Sequence, residues 1–277
     1  MKKLVFILFL ILGTIALKSQ TQSIKNNQFF DINVTLMKFT FRLYGPGSCG
    51  TAFIVAKENL SKPGTYYFVL ITAAHVLDSI KGNDAIINLR TKISSGDTII
   101  ELPLLIRNKK NNFYKKHPKV DVAAMYIALP EVFTDSTSGL STSYFATEYE
   151  FIKWGINPGT ELNCLGYPKC VNYNKGDYAI LRSGKIASYP LIPFDENPTF
   201  LFDFEVFPGN SGGPVYFQKL GLLKEDGTYS PGHYDQFIVG LVTEQILAVN
   251  LRNDSTDLKI GSVINSNYIL ETIEMLK

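Results

Sequence analysis

Apolar and polar residues alternate at the start of the ordered pattern: Phe39, Phe41 and Leu43 are interleaved with Lys38, Thr40 and Arg42. A period of two predicts a strand over 39–43. Gly45-Pro46-Gly47 marks a turn, and apolar runs bounded by turn residues predict further strands at 51–55, 65–71, 85–89, 98–106 and 122–129. A second set follows at 161–166, 179–181, 185–187, 200–206, 214–217, 237–243 and 262–264. Between the two sets, 131–147 is rich in Ser and Thr and reads as a linker. Ile269, Ile273 and Leu276 recur at helical spacing and predict a helix over 267–277. Long helical periodicities are few elsewhere, and 19 Phe with 15 Tyr favour β structure. The chain of 277 residues is large for one core and suits a double barrel or a two-lobed domain.

The first 20 residues stand apart from this pattern. Lys2 and Lys3 precede the apolar run 4–12, and small or polar residues follow from Gly13 to Ser19. This arrangement predicts a signal peptide over 1–20, hence a secreted or periplasmic location. The run is shorter than the roughly 20 apolar residues of a membrane span, so no stable membrane anchor is expected. Cleavage there removes Lys2, Lys3 and Lys18 and no acid, which moves the formal charge from +2 to −1. Net charge then offers nothing to attract nucleic acid or an anionic membrane.

Chemistry concentrates in Phe207-Pro208-Gly209-Asn210-Ser211-Gly212-Gly213-Pro214. A serine between glycines at a tight bend is either an ordinary hairpin turn or a nucleophile whose neighbouring N–H groups converge on one point. Two upstream residues favour the nucleophile. His75 closes the apolar run 66–71 after the small residues Ala73 and Ala74, and Asp121 opens the apolar run 122–129. An acid at the head of a buried strand is expected to be desolvated and to need a partner, which an imidazole N–H supplies. A serine hydroxyl needs a base to take its proton, and the base works best when a carboxylate orients it.

The order His75, Asp121, Ser211 is that of chymotrypsin-like enzymes. The chain resembles a trypsin/chymotrypsin-fold serine peptidase of the bacterial trypsin-like type, similar to an HtrA protease domain without a PDZ domain. The resemblance rests on Gly50-Thr51-Ala52-Phe53-Ile54-Val55, Thr72-Ala73-Ala74-His75, Asp121-Val122-Ala123, Leu165-Gly166-Tyr167-Pro168, Ser183-Gly184-Lys185-Ile186-Ala187 and Gly209-Asn210-Ser211-Gly212-Gly213-Pro214. It implies an all-β fold of two antiparallel six-stranded β-barrels with a short C-terminal helix. The N-terminal barrel would occupy 28–135, the inter-barrel linker 136–150, and the C-terminal barrel with its helix 151–277.

It also implies a secreted serine endopeptidase acting on protein or peptide substrates through an acyl-enzyme, without a cofactor. Ser211 would be the nucleophile, His75 the general base and Asp121 its orienting acid, with the N–H groups of Gly209 and Ser211 as the oxyanion hole. A catalytically silent binding module on the same fold, or an esterase using the same triad, are the alternatives. Glu205 lies six residues before Ser211, where trypsins carry the acid that selects Lys or Arg; it is otherwise an outward residue between Phe204 and Val206. Thr243, Glu244 and Gln245 are expected in the other wall of the substrate pocket. The residue before the nucleophile is Asn210, which cannot form the ion pair by which trypsins order their site after N-terminal cleavage. Where animal trypsins bond a cysteine near Cys49 to one just after the histidine, this chain has Val76, so Cys49 is expected as a buried free thiol. Cys164 and Cys170 bracket five residues and either close a small loop or stay apart.

The stretch 107–119 carries Arg107, Lys109, Lys110, Lys115, Lys116, His117 and Lys119 around Phe113 and Tyr114. It reads as a solvated loop ahead of Asp121 in preference to a nucleic-acid site. His117 and His233 lack metal-ligand spacing and are expected on the surface, so no metal is assigned.

Overall fold

The computed structural model describes residues 31–276, apart from 94–95, 131–132, 134–138, 174, 224–228 and 250–254, and apart from the side chains of 92–97, 220–234, 245 and 247–257. The expected leader lies outside the described residues.

The second set of strands closes into a six-stranded barrel. Strands β9 (Glu161–Gly166), β10 (Ile180–Ile186), β11 (Thr199–Asp203), β12 (Pro214–Leu223), β13 (Tyr229–Val249) and β14 (Ser255–Asn265) pair in the order β10-β11-β14-β13-β12-β9, and β9 returns to β10. The two segments expected at 179–181 and 185–187 are one strand, β10. Leu162, Cys164, Ile186, Phe200, Phe202, Val215, Val239, Val242 and Val263 fill the interior.

The first set forms all six expected strands, and among the described residues they make a sheet whose closure into the expected second barrel is not seen. Strands β1 (Thr40–Gly45), β2 (Ser48–Glu58), β3 (Tyr66–Thr72), β4 (Asp84–Ile93), β5 (Gly96–Leu105), β6 (Lys115–Lys116) and β7 (Ala123–Ile127) run in the order β5-β4-β1-β2-β3-β7-β6. The path ends at β6, which has only two residues and gives β5 no partner among the described residues. β8 (Leu140–Ser141) joins this sheet parallel to β2.

The expected linker therefore contains structure: β8, a 3-10 turn at Thr142–Tyr144 and the start of a short helix at Glu148–Lys153. Thr147 and Glu150 form a capping box that explains where that helix begins. A helix at Ile32–Phe39, absent from the strand reading, precedes β1. Its Ile32, Leu36 and Phe39 share one buried face, so Phe39 ends a helix and the strand begins at Thr40.

The C-terminal helix forms at Ser266–Glu274. Its Ile269 and Ile273 join the core of the first sheet, which also holds Phe41, Leu43, Ile54, Leu70 and Val122. The helix thus leaves the barrel and seals the neighbouring sheet. Lys57 Nζ donates to Ile273 O at 3.3 Å, and His117 Nε2 lies 3.0 Å from Glu271 Oε2.

The cysteines pair differently from expectation. Cys49 and Cys170 form a disulfide, and Cys164 is the free thiol. Cys164 is a mid-strand residue of β9 that points into the barrel, where burial pushes its thiol up to about 12. Cys170 lies beyond that strand, in a turn where Lys169 and Cys170 both have positive φ. The turn carries its sulfur out to β2. The crosslink spans 121 positions, a long loop whose closure in the unfolded chain favours folding.

Candidate active site

His75 owes its place to strand register. Thr72 of β3 pairs with Ala123 of β7, so the residues just past each strand end meet. Past β3 the chain turns at Ala73 into a one-and-a-half-turn helix, Ala74–Ser79, which has no side-chain cap of its own. Asp121 supplies the cap from the other segment. Its Oδ1 accepts from His75 N at 2.9 Å, its carbonyl accepts from Ala74 N at 3.4 Å, and its Oδ2 lies 2.5 Å from His75 Nδ1. A carboxylate at a helix N-terminus is favourable in itself, and here it also holds the imidazole. With Nδ1–H donating to Asp121, Nε2 is left as the acceptor. Asp121 is 36% exposed, so it is not desolvated as the sequence suggested. Its charge is accommodated by hydrogen bonds instead.

The basic stretch before Asp121 is exposed along most of its length, as expected of a solvated loop, but Arg107, Lys116 and His117 are tied into the fold. Arg107 donates to the carbonyls of Ile80 (2.8 Å) and Leu77, at the end of the His75 helix. Lys116 pairs with Asp78 at 2.9 Å. His117, expected on the surface, is buried; its Nδ1 accepts from Lys119 N and its backbone N–H donates to Val122 O. The loop thus braces the His75–Asp121 corner from beneath. The side chain of His233 lies outside the described residues.

Ser211 stands in a turn between Phe207 and Pro214 that requires its glycines. Gly209 and Gly212 have φ of +99° and +92°, and a Cβ on either would collide with the carbonyl of Tyr167 or Thr51 respectively. Asn210 N donates to Phe207 O, Gly212 N to Val242 O, and Gly213 N to Asn210 O. Gly209 N and Ser211 N donate to nothing among the described residues. Asn210 is 1% exposed, and its side-chain oxygen and nitrogen have no hydrogen-bond partner among the described residues.

Thr51, quoted in the sequence only as part of a motif, clamps this turn. Its N–H donates to Ser211 O at 2.8 Å and its Oγ1 to Gly209 O at 2.6 Å, while Oγ1 accepts from Tyr167 N at 3.1 Å. Lys169 N adds a bond to Pro208 O at 2.6 Å, one residue from the disulfide cysteine Cys170. Both carbonyls flanking Asn210 are therefore held by one fully buried threonine. Thr51→Val removes the hydroxyl at nearly constant volume and leaves Gly209 O and Tyr167 N without that partner. It is expected to cost about 1–3 kcal/mol of stability. Misplacement of the turn should cost roughly 10–100-fold in kcat with little change in KM. Thr51→Ser should restore most of both, as steady-state kinetics and thermal melts will show.

Ser211, His75 and Asp121 line one cleft of about 440 Å3 with Val206, Phe207, Pro208, Thr243 and Glu244. No hydrogen bond joins Ser211 to His75 among the described residues. Such bonds commonly tighten only when substrate binds. Glu205 is not in the lining. Its carboxylate lies 3.8 Å from Lys259 Nζ and its carbonyl accepts from Arg182. The side chain of Gln245 lies outside the described residues. Phe207 and Pro208 open the serine motif and Val206 precedes it, but the sequence does not mark them as cleft wall, because an apolar run before a turn says nothing of which face meets a cleft.

The hydrogen bond to Asp121 raises the His75 pKa above its ordinary 6.5, with the charges of Asp121, Glu244 and Asp78 adding to it against partial desolvation. If His75 acts as a base it does so in its neutral form, and activity should then rise with pH and reach half its plateau above pH 6.5. Linkage has the opposite sign. A raised folded-state pKa stabilises the fold fully below the unfolded value, and that contribution fades as pH rises through the folded one. A pH–kcat/KM profile on a non-titrating substrate, with half-plateau at or below pH 6.5, would contradict this reading.

No protein-family model and no curated protein matches the chain. Among solved structures it is similar to Rv3671c from M. tuberculosis H37Rv, solved as an inactive mutant form, at 16% identity and TM-score 0.45 with 91% of each chain covered. It is also similar to the protease Anisep from Arthrobacter nicotinovorans, at 14% identity and TM-score 0.48, over 87% of this chain and 96% of that one. Likenesses of this degree carry no argument about activity, which rests on the geometry of the cleft.

Proposed function

We propose that the protein is a secreted or periplasmic serine endopeptidase of the trypsin/chymotrypsin type. Ser211 Oγ attacks the scissile carbonyl carbon while His75 Nε2 takes its proton. The N–H groups of Gly209 and Ser211 bind the resulting oxyanion. His75 then protonates the leaving amine, and water enters by the reverse sequence to release the acyl group. Asp121 holds the imidazole in the accepting tautomer and stabilises the imidazolium. No step calls for a cofactor.

The observation that carries this reading is the two-point hydrogen bond of Asp121 to His75, in the same cleft as a serine whose turn leaves its own N–H and that of Gly209 undonated. The N-terminal leader pattern and the Cys49–Cys170 disulfide support an oxidising location outside the cytoplasm.

A fluorophosphonate probe is expected to label the wild type and not Ser211→Ala. Labelling with peptide turnover supports the endopeptidase; labelling with ester but no peptide turnover makes it an esterase. A folded wild type that resists the probe would be a silent binding module.

A further inference from the structure

The cleft that holds Ser211 has walls of unlike chemistry. The segment before the nucleophile contributes Val206, Phe207 and Pro208, which are apolar, and β13 contributes Thr243 and Glu244. Among the described residues its ionisable lining is His75, Asp121 and Glu244, with no Lys or Arg. Asp121 has both carboxylate oxygens committed to His75. Glu244 is exposed and, among the described residues, has no cation or hydrogen-bond donor paired with its side chain. Its charge is close enough to be felt by His75.

Lys259, Arg182 and Lys169 stand near the apolar wall without lining the cleft, two of them against Phe207 itself. Lys259 lies by Glu205, and Arg182 donates to Glu205 O. Arg182 and Lys169 also sit 5.5 and 5.6 Å from the centre of the Phe207 ring. A ligand suited to this lining has an apolar stem and a cationic head, because the stem can lie on Val206–Pro208 while the head meets a carboxylate. Lys and Arg side chains have this form. An acidic side chain would meet Asp121 and Glu244 as like charges.

We infer that Glu244 is the specificity-determining acid of this cleft, and that its substrates are peptides placing a Lys or Arg side chain beside Val206, Phe207 and Pro208 with its cation at Glu244. The inference rests on the serine peptidase reading and assigns charge selection to a different residue from Glu205, which the resemblance had offered and which lies off the cleft lining.

The test compares peptides identical except for one residue near the scissile bond: Lys against norleucine, and Arg against citrulline, scanned over three positions on either side. At the best position the wild type is expected to prefer the cation about tenfold in kcat/KM, as a partly desolvated charge pair would give. The preference should shrink as salt is raised from 0.05 to about 0.5 M, since screening weakens exposed pairs. Glu244→Gln should bring the ratio to about one, and Glu244→Lys should turn it toward Glu-containing peptides. Glu205→Gln should leave the ratio in place. Thermal melts establish that each variant is folded, which an exposed substitution permits.

An indifferent wild type, or a ratio that survives Glu244→Gln, overturns the inference. So does a ratio lost in Glu205→Gln alone. Fluorophosphonate labelling of Ser211 in the same wild-type preparation keeps the two questions apart: labelling without charge preference defeats only this inference, whereas absence of labelling defeats the peptidase reading itself.

Discussion

Ser211→Ala and His75→Ala are each expected to lower kcat/KM by about 10⁴-fold or more, and the double variant should be scarcely worse than either single one. A hydroxyl without a base is a weak nucleophile, and an imidazole without a hydroxyl has nothing to activate, so the two act as one unit. Ser211→Ala removes only an oxygen from a half-buried side chain and leaves the Thr51 clamp on the backbone carbonyls intact. His75→Ala spares the backbone bond from residue 75 to Asp121 Oδ1, so the helix keeps its cap. Both variants should therefore melt close to the wild type while losing turnover. Peptide kinetics beside circular dichroism melts decide the matter, and near-wild-type turnover in either folded variant would sink the mechanism.

Asp121→Asn should be nearly as damaging, by a different route. Asn can keep its carbonyl oxygen toward His75 N and cap the helix, because Asn and Asp serve comparably there. Its amide nitrogen then faces His75 Nδ1, where a donor meets a donor unless the ring gives up that proton. The imidazole would shift to the tautomer protonated on Nε2, which cannot accept from Ser211. A loss of about 10³–10⁴-fold in kcat/KM is expected near neutral pH, with stability little changed. The half-plateau of activity should also move to lower pH, since the hydrogen bond and the charge that raise His75 are both gone. Asp121→Ala, which loses the cap as well, should be less stable than Asp121→Asn. If Asp121→Asn retained wild-type rates, tautomer control would not be Asp121's task.

Much of the candidate site was legible because its requirements are local. The glycines around Ser211 announce a backbone path that side chains obstruct, and φ of +99° and +92° at Gly209 and Gly212 are the reason. His75 and Asp121 announce themselves as polar residues at the ends of apolar runs. What escaped notice was the support. Thr51 looks like any strand threonine until Ser211 and Gly209, some 160 positions away, arrive beside it. His117 looked like one more polar residue in a basic loop, yet Glu271 and Tyr268 of the terminal helix enclose it.

The sequence by itself determined the strand segments, the turn that presents Ser211, the terminal helix and the candidates for nucleophile, base and acid. Each follows from short-range rules: a period of two, a spacing of three and four, or a glycine where a Cβ has no room. Tertiary structure alone decided which cysteines join, since Cys170 is turned out toward Cys49 while Cys164 faces into the barrel. It decided that β5 and β6 do not pair among the described residues, and that Glu205 stays off the cleft lining while Glu244, expected there, borders it. These outcomes depend on register between segments far apart in the chain. A shift of one residue there reverses the face of every side chain, and no local pattern encodes which register is taken.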